Sequence, residues 1–117
     1  MSNEITTLYH LTVSPEKFDA FHALVKTIVD ASRKEVDTLA YEYFADGKNS
    51  MVHIIEHYRM PGVLPHVEQT FAPYAEAFLS FATIEKLFVY GEPTPEVRAK
   101  LDGFGAIYLS PFEGFRR

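Results

Sequence analysis

Thr38-Leu39-Ala40-Tyr41-Glu42-Tyr43-Phe44, a polar turn at Asp46-Gly47-Lys48-Asn49, and then Met51-Val52-His53-Ile54-Ile55-Glu56-His57-Tyr58 decide how this chain folds. Both flanks are rich in β-branched and aromatic residues. The turn supplies Asp and Gly, which tolerate the left-handed conformations a tight connection needs, so the stretch reads as a β-hairpin. Placing Phe44 opposite Met51 sets Glu42 against His53 and Tyr41 against Ile54. Alternate residues point to opposite faces, so Leu39, Tyr41, Tyr43, Val52, Ile54, Glu56 and Tyr58 share one side. Ala40, Glu42, Phe44, Met51, His53, Ile55 and His57 share the other. The first set is the more apolar and is expected to face helices.

Upstream, residues 5–13 (Ile-Thr-Thr-Leu-Tyr-His-Leu-Thr-Val) read as a first strand with Ile5, Thr7, Tyr9, Leu11 and Val13 on one face. Ser14-Pro15 follows as an expected N-cap and first helical residue. Phe18, Phe21, Val25, Ile28 and Ser32, with Leu24 beside them, then recur at helical spacing to about Lys34. Downstream, Met60-Pro61-Gly62 ends the third strand. Residues 63–81 read as helix interrupted near Pro73, where one backbone donor is missing. Residues 83–90 form a fourth strand, and Thr94 caps a short helix over 96–101 before a last extended piece at 106–110.

The order β-α-β-β-α-β is that of a ferredoxin-like α+β fold, an antiparallel sheet with helices on one face. The expectation is one domain over 1–117, with a core at 4–90 and a C-terminal helix/strand appendage at 91–117. The other sheet face would carry Leu8, Phe44, Met51, Ile55 and Leu87 or Phe88. A monomer leaving that patch bare is poorly soluble, so a homodimer packed through the open face is expected.

The 117 residues suffice for one packed core, and 47% are apolar, with ten Phe and seven Tyr. Sixteen acidic against eleven basic residues give a net charge of −5 with no clustered basic stripe, which argues against nucleic acid as a partner. The absence of cysteine removes disulfides, thiolate nucleophiles and iron–sulfur ligation. No apolar run approaches the roughly 20 residues that span a bilayer, and the first residues lack the pattern of a signal peptide, so a cytoplasmic location is the expectation.

The sequence Leu-Ala-Tyr-Glu-Tyr-Phe-Ala-Asp, followed by His-Ile-Ile-Glu-His-Tyr and by His66 eight residues on, resembles the antibiotic biosynthesis monooxygenase family, the dimeric α+β barrels. The resemblance covers about residues 4–90 and rests on Tyr41, Glu56, Tyr58 and His66. It implies a homodimer with a cavity between helices and sheet in each protomer. It also implies oxidation of a small aromatic or quinol-type compound by molecular oxygen, with neither metal nor flavin as cofactor. The chain has no Trp, and its two Asn lie near the start and in the turn. The Asn, Trp and His constellation of the haem-degrading branch is therefore missing.

His66 is the candidate catalytic base, since an imidazole with an unperturbed pKa of about 6.5 suits deprotonation of a phenol. It also fits a helix-terminal histidine that only packs. Glu56 is the candidate second catalytic residue, orienting His66 or binding a substrate hydroxyl, or else a structural hydrogen-bond partner. Tyr41, Tyr43, Tyr58 and His53 are the candidate substrate-binding groups. His53 and His57 with Glu42 resemble a metal triad, but residues i and i+4 of a strand stand roughly 13 Å apart, so no metal site is expected. The alternative to an enzyme is a non-catalytic small-molecule-binding or dimeric accessory protein on the same fold.

Overall fold

The computed structural model describes residues 3–117. Five strands, β1 (Glu4–Val13), β2 (Thr38–Ala45), β3 (Met51–Arg59), β4 (Ala82–Tyr90) and β5 (Ala106–Leu109), form one sheet in the order β2-β3-β1-β4-β5. β1 lies antiparallel between β3 and β4, and β2 antiparallel to β3. The first four strands thus have the ferredoxin-like arrangement. β5 is parallel to β4, so the sheet is mixed rather than wholly antiparallel. A parallel neighbour needs a crossover, which is supplied by the helix α4 (Pro95–Asp102). Thr94 caps it as expected, its Oγ1 accepting from the Val97 N–H at 3.3 Å.

The helix α1 (Phe18–Ser32) buries Phe21, Val25, Ile28 and Ser32, with Phe18 and Leu24 half-buried at its flank. The buried Ser32 hydroxyl donates to the Ile28 carbonyl at 2.8 Å. Every second residue of β1 from Ile5 to Val13 is buried against this layer. Pro15–Lys17 forms a 3-10 turn before α1, and Ser14 makes no side-chain cap. Its carbonyl instead accepts from the Lys17 N–H at 2.9 Å.

The hairpin pairs Phe44 with His53, Tyr43 with Ile54, Glu42 with Ile55 and Tyr41 with Glu56, two residues out from the register expected from sequence. The turn explains the shift. Asp46 pairs with Met51 through its N–H, and its carboxylate accepts from the backbone N–H groups of Ser50 and Met51 at 2.9 and 3.0 Å. Asn49, not Asp46 or Gly47, takes the left-handed conformation, with φ of 54°. A slip of two keeps each side chain on its face, so Tyr41, Tyr43, Val52, Ile54, Glu56 and Tyr58 still point to the helices. Leu39 does not: an irregularity between Thr38 and Ala40 leaves it exposed.

Residues 60–81 are less regular than a single helix with one break. A 3-10 turn (Met60–Gly62) leads into one α turn, α2 (Val63–Pro65), then a π-helical segment (His66–Phe71), a second 3-10 turn (Ala72–Tyr74) and α3 (Ala75–Phe81). The entry is clamped to the loop after α1. The Arg59 N–H donates to the Asp37 carbonyl at 2.8 Å, and a Cβ on Gly62 would stand 2.7 Å from the Asp37 Cβ. Gly62→Ala is therefore expected to cost about 1–3 kcal/mol through overpacking, and to displace the helical stretch relative to the loop. Urea midpoints of the two proteins check this, and an unchanged midpoint contradicts it.

On the open face, Phe44, Met51, Tyr90, Ile107 and Leu109 are exposed and Leu8, Ile55 and Phe88 half-buried. Leu87 is fully buried in the core, so of the two β4 residues only Phe88 belongs to the open face. Among the described residues no helix is long and apolar enough to cross a membrane.

Candidate functional site

A cavity of about 30 Å³ lies between the sheet and the broken helical stretch. Tyr9, Tyr41, Tyr43, Ile54 and Glu56 line it from the sheet, His66, Val67, Phe71 and Phe78 from the helices. Ile84 and Phe104 close it on the β4 side. Two of the expected site residues, His66 and Glu56, meet here, together with Tyr41 and Tyr43.

His66 is 2% exposed, yet it is not Glu56 that orients it. The partner is Glu35, in the loop between α1 and β2, whose Oε1 accepts from His66 Nδ1 at 3.0 Å. The same carboxylate accepts from Thr38 Oγ1 at 2.7 Å and from the Thr70 hydroxyl. Three donors on one acceptor fix its position. A proton on Nδ1 facing Glu35 selects the tautomer whose lone pair is on Nε2. The rings of Tyr41 and Tyr58 pack on the imidazole with centroids 5.0 and 5.6 Å away.

Glu35 escaped the sequence reading because Lys34-Glu35-Val36-Asp37 looks like any solvated turn. One signal was available. His66 and Thr70, four apart, stand on one helical face, and two donors aimed the same way call for an acceptor.

Glu56 accepts from Tyr58 Oη at 2.5 Å and Thr7 Oγ1 at 3.1 Å, both on Oε1. Tyr58 is wholly buried behind it and does not line the cavity. It serves as a support for Glu56 rather than the substrate contact expected. His53 is further displaced: it lies on the open face, its ring 5.1 Å from that of His10, beside a shallow surface depression with Phe44 and Met51. His57, also on that face, is held by Thr6 Oγ1 at 2.7 Å and Glu4 Oε1 at 2.6 Å. The C-terminal arm brings Arg116 Nη1 to within 3.1 Å of His57 Nε2, and no residue after Phe104 lines the cavity.

Tyr9, placed from sequence only on one face of the first strand, is a cavity residue. It stands on β1 opposite Ile54, diagonal to Glu56, which pairs with Thr7. Tyr41 and Tyr43 share a hydrogen bond of 2.6 Å between their hydroxyls. Burial pushes all four phenols, Tyr9, Tyr41, Tyr43 and Tyr58, above the ordinary tyrosine value, so each stays a neutral donor at neutral pH.

Burial likewise pushes the Glu56 carboxyl above its ordinary value of 4.5. His66 and the bonds from Tyr58 and Thr7 oppose the rise, and Glu35 adds to it. The folded chain therefore holds this proton to higher pH than the unfolded chain does. Between the two values the folded state binds more protons, so stability falls as pH rises through that window and levels off above the folded value. Glu56→Gln lacks this slope. The stability of the parent relative to the variant is thus expected to decline as pH rises from 4.5, measured as paired urea midpoints. A difference constant with pH contradicts the assignment.

The architecture defines a ferredoxin-like α+β protein with a small, aromatic-walled cavity lined by one histidine, His66, and one carboxylate, Glu56. Solved structures share that fold. MupZ from Pseudomonas fluorescens is 22% identical and superposes with a TM-score of 0.88 over 100% of this chain and 91% of that one. An antibiotic biosynthesis monooxygenase is 19% identical, with a TM-score of 0.66 over 78% of this chain and 99% of its own. SnoaB, a cofactor-independent oxygenase from Streptomyces nogalater, is 17% identical, with a TM-score of 0.61 over 78% and 94%. The chain has the fold of the antibiotic biosynthesis monooxygenase structures. The superposition with MupZ extends through α4 and β5, which the sequence reading treated as an appendage. No family model and no curated protein matches the sequence.

Proposed function

We propose that the protein is a cofactor-independent monooxygenase acting on a small aromatic or quinol-type compound. The observation that carries this reading is the Glu35–His66 pair, which leaves an imidazole lone pair next to an aromatic-lined cavity. His66 removes a proton from the substrate hydroxyl. The resulting electron-rich anion passes an electron to dioxygen, and the radical and superoxide join through a C–O bond. The O–O bond then breaks with loss of water, leaving one oxygen atom on the substrate carbon as a carbonyl. Glu35 balances the charge on the imidazolium until its proton leaves in that water. The fold shared with SnoaB supports this chemistry. A homodimer through the open sheet face is part of the proposal, supported by the run of exposed apolar residues from Phe44 to Leu109.

A ring-bearing substrate does not fit into about 30 Å³, which holds a water-sized molecule. Entry requires the wall to move. Val67 and Phe71 on the π-helical segment and Phe104 after α4 are only half-buried and form the least regular part of that wall. The same narrowness favours a second reading, a non-catalytic binding or accessory protein. Oxygen uptake over a panel of quinols, parent against His66→Ala, separates the two. Uptake that depends on His66 supports the oxygenase, and no uptake on any quinol favours the second reading.

A further inference from the structure

Three polar atoms in the cavity wall are unpartnered. Both hydrogen bonds to Glu56 fall on Oε1, leaving Oε2 without one. His66 is held through Nδ1, leaving Nε2. The Tyr9 hydroxyl makes no hydrogen bond among the described residues. Among those residues, too, no fully enclosed side-chain nitrogen or oxygen lacks a partner. The three atoms therefore retain contact with open space. Their residues are 8%, 5% and 2% exposed for Tyr9, Glu56 and His66, so that space is the cavity they line.

Two of these atoms belong to donors and one to a base. A phenol and, in its protonated form, a carboxylic acid suit an oxygen that gains negative charge in an apolar pocket, and burial raises the Glu56 carboxyl toward that form. The imidazole lone pair suits the proton whose loss creates that charge. Tyr9 and Glu56 sit diagonally on adjacent strands, both fixed by the sheet, whereas His66 comes from the helical layer above. Once the helical wall has moved to admit it, a planar molecule lying between the layers meets Tyr9 and Glu56 on the sheet side and His66 on the helical side.

We propose that Tyr9 and Glu56 form a donor pair for the carbonyl oxygen of an enolisable ketone whose α-proton His66 removes, so that this cavity catalyses keto–enol exchange without oxygen. His66 Nε2 takes the α-proton as the C–H electron pair forms the carbon–carbon double bond. The carbonyl π pair moves to oxygen, which receives the Glu56 proton while Tyr9 donates a hydrogen bond. The enol leaves behind an imidazolium and a carboxylate, and the reverse steps restore both. Nothing is oxidised or reduced. The inference rests on the reading of the cavity as a reaction site with His66 as base, but not on dioxygen.

The test is proton–deuteron exchange into acetone, cyclopentanone and 2-indanone in anaerobic deuterated buffer, followed by NMR. The parent protein is expected to accelerate exchange of at least one ketone. Tyr9→Phe should lower that rate by about 10²-fold, the usual effect of losing one oxyanion donor. Glu56→Gln, whose amide donates a hydrogen bond but hands over no proton, should lower it as well, and His66→Ala should fall to the buffer rate. No acceleration with any of the three ketones overturns the proposal. So does acceleration that Tyr9→Phe leaves unchanged while its circular dichroism matches the parent. Exchange without quinol-dependent oxygen uptake removes the oxygenase reading and leaves this one standing; uptake without exchange does the reverse.

Discussion

His66→Ala is expected to lower turnover in this cavity by about 10²–10⁴-fold, the range a positioned general base contributes, with the fold retained. The size of the effect follows from the geometry. Among the described residues that line the cavity, His66 carries the imidazole, and burial raises the phenols and the Glu56 carboxyl above their ordinary values. Glu35→Gln should fall between the variant and the parent. Its amide oxygen can still accept from Nδ1, but it no longer carries the charge that balances an imidazolium. Its amide nitrogen also competes for the position now facing Thr70 or Thr38, and a nitrogen facing Nδ1 selects the wrong tautomer. Quinol-dependent oxygen uptake or ketone exchange measures both. If His66→Ala keeps turnover within a factor of two of the parent, the base lies elsewhere.

How far the sequence foretold this site depends on what kind of information each residue carries. Strand residues were legible because parity alone assigns a face. Tyr41, Tyr43, Glu56 and Tyr58 all point inward even though the hairpin register lies two residues from the one first read, since an even slip preserves parity. What parity cannot give is depth. Tyr58 and Tyr41 share a face, yet one is sealed behind Glu56 and the other opens on the cavity. Tyr9 had the right face too, but nothing in a strand pattern separates a core tyrosine from a cavity tyrosine. His53 follows the same rule in reverse. Its parity places it with Phe44 and Met51 on the open face, where it cannot serve this cavity.

Loop residues were legible least. Glu35 lies 31 positions from His66, and what joins them is the docking of Gly62 on Asp37, a close approach that no periodicity records. The regular interior of the sheet and the irregular helical stretch divide the work accordingly. The sheet fixes Tyr9, Tyr41, Tyr43 and Glu56. The loop and the π-helical segment bring Glu35 and His66. A site divided in that way can open by movement of one layer while the other stays rigid, which is what a cavity too small for a ring demands.

Phe78→Ala is expected to cost about 3–5 kcal/mol, as truncation of a buried phenylalanine does. Phe78 is 2% exposed on α3 and joins three parts of the core at one point. Its ring stands 5.3 Å from Phe21 on α1 and 5.1 Å from Phe71 on the π-helical segment, and it forms part of the cavity wall. The cost belongs in the upper part of the range because the site collapses poorly. The space vacated merges with the existing cavity, and the surrounding layers are held by the sheet on one side and by the Gly62–Asp37 contact on the other. Against a domain stability of about 5–15 kcal/mol, such a loss is about a fifth or more of the total and shows directly in the urea midpoint. The enlarged cavity supplies a second measurement. Benzene should restore part of the lost stability in the variant and do little for the parent, since a ligand that binds only the folded state stabilises it by mass action and an apolar void of that kind accepts benzene. A loss below about 1 kcal/mol, typical of a surface substitution, together with no benzene effect, would mean that α3 closes on the gap. In that case the wall of the cavity is pliant at Phe78 as well as at Phe71 and Phe104, and the path by which a substrate enters lies through the helical layer itself.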